Sequence, residues 1–501
     1  MIDIWQHLLF GFQVALRPEN LGLALAGALL GTVVGVLPGI GPVGGIAILL
    51  PLTFKLPPAS AMIMLTAVYY GTMYGGSTTS ILMNVPGEAS SVVTSFDGYA
   101  MAQQGRAGPA LAIAAVGSFI AGTLSIIALT FFSPLLAAWG LTFGPPEYFG
   151  LMLFGLSAVS SLAGESLVKA LLSMGFGLML ATVGTDLVTG VPRFTFNIPY
   201  LLDGIDFVVV VIGLFAISEV MVSIEEARGE VRLPMRLERI WLSVKDFAQS
   251  FWAIIRGSVI GFYIGILPAA GATIASFLSY GVEKQLARDP STFGRGDIRG
   301  VAAPESANNA AAVGNMIPML TLGIPGSSTT ALMLGALLVL NVIPGPLLFR
   351  DHPDVVWGLV ASMYVSNLIL LILNLPLVGI FVRILYIPQP LLFPLIVAIC
   401  VIGTYAVNFS AFDLLVMTAL GLVAYYMRKN AYPLGPAVLG LVLGDLMEQN
   451  LRRSLIMSRT GALIFFTRPI TATLIALSVL SLLTPALLRL LRPRRPAQAA
   501  P

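Results

Sequence analysis

Two octapeptides carry the side chains best suited to chemistry: Asn84-Val85-Pro86-Gly87-Glu88-Ala89-Ser90-Ser91 and, at an offset of 239, Gly323-Ile324-Pro325-Gly326-Ser327-Ser328-Thr329-Thr330. Each sets Pro, which has no backbone donor, beside Gly, which turns the chain without steric cost, so each breaks a helix. Hydroxyls follow at once, Ser90, Ser91 and Thr94 in one copy and Ser327, Ser328, Thr329 and Thr330 in the other. They are placed to cap new half-helices, whose first amides lack partners and carry the positive end of the dipole. A half-helix that begins inside a cavity holds a carboxylate without Lys or Arg, and two such ends facing each other make an anion site. Gly39, Gly41, Asn84, Pro86, Gly87, Pro325 and Gly326 belong to that expected substrate site with these hydroxyls.

Neutral polar groups lie upstream: Ser77, Thr78, Thr79 and Ser80 in one copy, Asn308, Asn309 and Asn315 in the other. They offer hydrogen bonds to substrate oxygens or, with backbone carbonyls, ligands for a coupling Na+. Glu88 and Glu305 are the acids nearest the breaks, and an ionisable group at membrane depth is costly enough to mark function. Glu88, Glu305, Thr78 and Asn315 are therefore the ion-coupling candidates, for H+ or Na+. Asp97, in the loop-like Ser95-Phe96-Asp97-Gly98-Tyr99, ranks below them. The competing reading, that small polar residues in membrane helices merely bond a neighbouring carbonyl, explains a duplicated pattern less well. Asp186 with Arg193, and Glu448, Arg452 and Arg453, read as structural ion pairs.

Other chemistries are poorly supplied. One cysteine, Cys400, and two histidines, His7 and His352, leave no disulfide framework and no haem, iron–sulfur or zinc site. No Gly-x4-Gly-Lys-Ser/Thr motif for a nucleotide occurs, and neither a nucleophile–base pair nor an acidic cluster points to an enzyme. No cofactor is expected. The net charge of +3 is small and its basic residues are dispersed, against a nucleic-acid partner.

The elements that position these motifs follow from composition. With 57% hydrophobic and 10% charged residues and a mean hydropathy of +0.91, the 501-residue chain is a polytopic membrane protein. Runs such as Val208 to Ile217 and Leu368 to Leu375 are apolar without alternation, which makes it all-α rather than a barrel. About ten to twelve crossings or re-entrant segments fit the length. Leu30-Gly31-Thr32-Val33-Val34-Gly35-Val36-Leu37-Pro38-Gly39-Ile40-Gly41 recurs at an offset of 230 as Ile260-Gly261-Phe262-Tyr263-Ile264-Gly265-Ile266-Leu267-Pro268-Ala269-Ala270-Gly271. Glycine repeats every fourth residue at 27, 31, 35 and 39, matched by Gly257, Gly261, Gly265 and Ala269, a face built for close helix approach.

Charge orients the two copies. Arg228, Arg232, Arg236, Arg239, Lys245 and Arg256 precede the second Leu-Pro motif and Lys284, Arg288, Arg295 and Arg299 follow it, whereas only Arg17 and Lys55 flank the first. The positive-inside rule puts both flanks of the second motif in the cytoplasm and those of the first outside. Each motif is then the tip of a re-entrant hairpin, with Gly39 and Gly41 at the first tip, and the halves are inverted repeats with four breaks converging near the midplane. The start, Met1-Ile2-Asp3-Ile4-Trp5, has an acid where a secretory leader is basic. The expected organisation is an interfacial segment at 1–19, a first membrane repeat at 20–225, a basic cytoplasmic linker at 226–249, a second repeat at 250–460, a membrane helix at 461–490 and a basic cytoplasmic tail at 491–501.

From about Gly22 to Pro469 the chain resembles the large membrane subunit of the tripartite tricarboxylate transporters. The most specific stretches are Gly35-Val36-Leu37-Pro38-Gly39-Ile40-Gly41, Tyr70-Gly71-Thr72-Met73-Tyr74-Gly75-Gly76, Asn84-Val85-Pro86-Gly87-Glu88, Asp97-Gly98-Tyr99, Ala303-Pro304-Glu305-Ser306-Ala307-Asn308-Asn309 and Leu322-Gly323-Ile324-Pro325-Gly326. The resemblance implies a bacterial inner-membrane carrier that imports citrate or other carboxylates with H+ or Na+. It also implies two partners, a small four-helix membrane subunit and a periplasmic solute-binding protein. Two positions depart from the family pattern, Ala269 where Gly is usual and Ala100 where Pro is expected; neither removes a polar group. The alternative is a channel or a permease for another small anion that works without a binding protein.

Overall fold

A computed structural model describes residues 2–37, 39–157, 159, 166–186, 189–226, 240–268, 271–384 and 389–491. Residues 227–239 of the expected linker, the tail from 492, and Pro38, Ala269 and Ala270 of the hairpin tips lie outside them. The first half runs through α1 (Ile2–Ala15), α2 (Pro18–Val36), α3 (Gly41–Leu49), α4 (Pro58–Met83), α5 (Val92–Gln103), α6 (Ala107–Gly140), α7 (Pro145–Ser157) and α8 (Leu167–Ala181). A two-residue hairpin, β1 (Gly184–Thr185) with β2 (Pro192–Arg193), precedes α9 (Phe207–Val211), a π-helical turn at Ile212–Ile217, and α10 (Ser218–Glu226). The second half contains α11 (Val244–Ile266), α12 (Gly271–Leu286), α13 (Arg299–Gly314), α14 (Met316–Leu322), α15 (Ser328–Val339), α16 (Leu348–Asp351) and α17 (Pro353–Asn374). After it come α18 (Val378–Ile384), α19 (Gln389–Asn408), α20 (Ala411–Lys429), α21 (Leu434–Met457), α22 (Ile464–Thr467) and α23 (Pro469–Leu491).

The protein is all-α and polytopic. Among the described residues six helices are long and apolar enough to cross a bilayer, or seven if the pair 461–467 and 469–483, bent by 87°, is one span. The expected ten to twelve segments included re-entrant pieces as well as crossings, and four shorter apolar helices, at 41–53, 167–181, 328–339 and 393–408, stand beside these spans. The breaks cut the chain into apolar helices shorter than a span, such as Gly41–Thr53 and Ser328–Val339. The loop reading around Asp97 is likewise corrected, because residues 95–99 lie inside α5.

Backbone contact explains the glycine stripe. A Cβ added at Gly27, Gly31 or Gly35 would lie 2.4–2.5 Å from the carbonyl oxygens of Met64, Val68 and Thr72, so α2 and α4 run parallel with their backbones in direct contact. Gly257, Gly261 and Gly265 meet Ala303, Ala307 and Ala311 in the same way at 2.2–2.5 Å, which makes α11 and α13 the second copy of that pair. The downstream breaks repeat too. Asn84 and Gly323 are both left-handed at φ 55° and 69°, and Gly87 rests on Gly76 as Gly326 rests on Asn315.

The halves interlock reciprocally. The returning arm of the first hairpin, α3, packs on α15 of the second half, and the returning arm of the second, α12, packs on α5 and on Ala89–Ser91 of the first. Between them α4 and α13 run antiparallel, since Ser77 meets Glu305 and Tyr69 meets Asn315. α6, with 34 residues, is about 50 Å long and defines the two ends of the molecule. At one end Arg106 pairs with Asp246 at the start of α11 (2.8 Å); at the other Gly140 packs on Pro346 and Leu322. α1 lies along α17, with His7 stacked on Trp357 at 5.3 Å.

Candidate substrate and ion site

Three of the four breaks meet at the crossing of α4 and α13. Gly41, left-handed at φ +60°, faces Gly87 and Glu88, so the first hairpin tip touches the Pro86-Gly87 break. Glu88 is the N-cap of the short turn Ala89–Ser91, and Ser91 Oγ donates to its carbonyl at 2.9 Å. Ser327 caps α15, its Oγ accepting from the amide of Thr330 (3.3 Å) while Thr330 Oγ1 accepts from the amide of Ser327 (2.8 Å). The caps are thus Glu88 and Ser327, 239 residues apart, whereas Ser90, Ser91, Thr94, Ser328, Thr329 and Thr330 lie within the turns that follow. A carboxylate already covers the first N-terminus and a hydroxyl the second. At Gly271, which follows the fourth break and opens α12, a Cβ would meet nothing within 4 Å.

Both acids at the crossing are buried. Glu305 Oε2 accepts from Ser77 Oγ and Oε1 from Thr94 Oγ1, each at 2.5 Å. Glu88 Oε1 accepts from Asn308 Nδ2 at 2.8 Å. Two helical turns beyond, Asn315 Nδ2 donates to Tyr69 OH at 3.3 Å, while Asn309 donates to Ser118 Oγ at 2.6 Å. Asn308 Oδ1 and Asn315 Oδ1 are buried acceptors with no hydrogen-bond partner among the described residues, and Asn315 Oδ1 lies against Gly326, 2.6 Å from where a Cβ would stand. An unpaired buried amide oxygen is costly, so such atoms call for a ligand. Carboxylate and neutral amide oxygens together are the donor set a hard cation takes. Thr78, with Ser77, Ser118 and Asn374, lines a void of about 10 Å³, the lower limit for one water.

A larger cavity, about 1020 Å³, opens at the Gly140 end of α6. Leu322 and Gly323 of the second break line it, with Phe143, Pro344, Asp445 and Arg453. Beside it a network ties the β-hairpin to α21: Arg452 pairs with Asp186 (2.7 Å) and Glu448 (2.6 Å), and Arg193 with Glu448 (2.9 Å).

Sequence reasoning missed two groups at the site. Tyr69 carries its hydroxyl to Asn315 from within an aromatic and apolar stretch that gives no polar signal. The other is the ion pair of Glu219 with Arg428, whose carboxylate abuts the expected tip residue Gly39 at φ +92°. No local pattern joins that ion pair to the hairpin tip, although the π-helical turn before Glu219 is the kind of irregularity that marks functional helices.

A membrane chain whose duplicated helix breaks meet around buried acids has the construction of a transport protein. The model of the tripartite tricarboxylate transporter TctA family matches residues 21–439, and the chain belongs to that family. It is therefore a subunit of a tripartite tricarboxylate transporter. A protein of Agrobacterium vitis described as an uncharacterized 52.8 kDa protein in the TAR-I ttuC' 3' region is 46% identical over 495 residues, which cover 99% of this chain and 98% of that one. A second, described as an uncharacterized protein in the TAR-II ttuC' 3' region of the same organism, is 45% identical over 235 residues, 47% of this chain and 97% of its own. No solved structure matches the chain.

Proposed function

We propose that this chain is the permease of an ion-coupled secondary carrier that imports tricarboxylates or related carboxylates across a bacterial inner membrane. Its site lies where the breaks meet, near the midplane. The observation that carries the reading is the burial of two acids beside the crossing of α4 and α13, Glu88 in the break after α4 and Glu305 on α13, each bonded to neutral donors rather than to any described Lys or Arg. Groups of this kind change protonation or take up a cation as a cycle proceeds, and H+ or Na+ is the coupling ion. The substrate carboxylates are held by the break residues and the half-helix ends.

The halves act as inverted repeats. Support comes from the parallel pairs α2/α4 and α11/α13, from the antiparallel run of α4 against α13, and from the reciprocal packing of α3 and α12. Arg106, Lys245, Arg256, Lys284, Arg288, Arg295 and Arg299 lie towards the Arg106 end, which is the cytoplasmic one. The cavity at the other end then faces the periplasm and receives substrate from a solute-binding protein. α23 starts there, where Arg468 pairs with Glu147 at 2.9 Å, and runs alongside α7 so that Ser481 reaches Ser157, which carries the C-terminus to the cytoplasm.

The test is uptake of labelled citrate into proteoliposomes holding this chain and the small four-helix subunit, with and without the binding protein. Saturation with binding-protein concentration, counterflow and dependence on a Na+ or H+ gradient are expected. High-affinity uptake undiminished without the binding protein rejects that part of the reading, and flux without saturation or counterflow indicates a channel.

A further inference from the structure

Asp97 is buried in α5, yet the core site does not use it. Its Oδ1 accepts three backbone amides from the polar loop before α13: Gly294 at 2.9 Å, and Gly296 and Asp297 at 2.8 Å each. Its Oδ2 accepts the hydroxyl of Tyr280, on α12, at 3.0 Å. Gly294 and Gly296 stand at φ +82° and +97°, a backbone that turns successive amides inward as an anion-binding nest. Gly300 leaves the carboxylate its space, since a Cβ there would lie 2.2 Å from Asp97 Oδ2. The guanidinium of Arg299 is bonded to Asp297 instead. A carboxylate of the first half thus plugs a nest built by the second, at the Arg106 end of the molecule.

Two features tie this plug to the transport site. Thr94, one turn earlier on α5, donates to Glu305, and α13, which follows the nest directly, carries Glu305. The same two elements are therefore joined twice, at the core and at the end. The opposite end lacks the device: at the offset of 239, α15 has Met333 and Ala336 where α5 has Thr94 and Asp97, and there the 1020 Å³ cavity is open.

We propose that Asp97 is a positioning residue that latches the cytoplasmic end shut through the 294–297 nest, and that its release is the step that opens the site inward. The latch rests on the secondary-carrier reading above, in which the site opens to one side at a time, but not on the identity of the substrate. It makes the near-symmetric halves unequal, holding one end closed while the other stays open.

The test uses single cysteines in a Cys400→Ser background, reconstituted with the small subunit and labelled with an impermeant maleimide from each side. Ser276→Cys lies behind the latch, where Ser276 Oγ reaches the carbonyl of Pro304; Ile343→Cys lies in the outer cavity. Loss of a charge-assisted bond shared by four donors should raise labelling of Ser276→Cys about tenfold in Asp97→Ala and lower that of Ile343→Cys. Gly296→Ala, strained at a left-handed position, should move both rates in the same directions. Unchanged rates at both cysteines, or a rise at both, overturn the latch. If Asp97→Ala does not yield folded protein, Gly296→Ala and Tyr280→Phe decide, and no change in either overturns it. These rates need no substrate, so a failed latch and a failed carboxylate reading are told apart.

Discussion

At the scale of single residues, the two buried acids differ in what surrounds them. Glu305 has both oxygens satisfied by hydroxyls, whereas Glu88 shares Asn308, whose Oδ1 is unpaired. Glu305→Gln keeps the shape and removes the charge; it should reduce gradient-driven citrate accumulation at least about tenfold, the value of one lost charge-assisted contact, while counterflow survives. Parallel accumulation and counterflow assays check this, and equal loss of both would assign Glu305 to folding or to substrate binding. Ser91 and Ser328 both belong to the hydroxyls expected at the half-helix ends of the anion site. Ser91, however, is buried in the cap of the turn beside Glu88, and only Ser328 is half-buried. Ser91→Ala should therefore cost about 1 kcal/mol of stability, as loss of a helix cap does, whereas Ser328→Trp should block uptake and leave the melting temperature unchanged.

At the scale of elements, the glycine faces set the spacing of the paired helices. Gly261→Ala drives a methyl to 2.2 Å from the carbonyl of Ala307, and Gly31→Ala to 2.4 Å from that of Val68. Each should destabilise the protein by about 1–3 kcal/mol, the usual cost of overpacking, and lower uptake with it. Gly22→Ala, on α2 with nothing within 4 Å, is the control and should be neutral or slightly stabilising. Thermal unfolding of the three variants in one detergent makes the comparison. These faces were legible in the chain because a four-residue period is a local property of a helix. Their partners were not, since α4 and α13 present carbonyls at these positions, and carbonyls leave no mark on residue identity.

At the scale of the whole molecule, inversion predicts opposite sidedness for the two hairpins. In a Cys400→Ser background, Lys55→Cys should react with an impermeant thiol reagent only from outside and Arg295→Cys only from inside. Reaction of both from one face would leave a duplication without inversion, and the outer cavity would then have to be assigned anew.

The sequence by itself determined the class, the duplication and the positions of the breaks. Hydropathy, the offsets of 230 and 239, and Pro-Gly pairs are written along the chain, and each dictates local backbone behaviour. It also marked the residues of the core, among them Glu88, Glu305, Asn308 and Asn315, by the cost of placing them at membrane depth. Only the tertiary structure decided what each one touches. Glu305 takes its donors from 228 and 211 residues away, Glu88 its partner from 220, and Asp97 its nest from 197 to 200. Those pairings depend on how α4 crosses α13 and how each hairpin returns against the opposite half. Glycine faces hold α4 to α2 and α13 to α11, and small residues permit such contacts without specifying how the two pairs then cross.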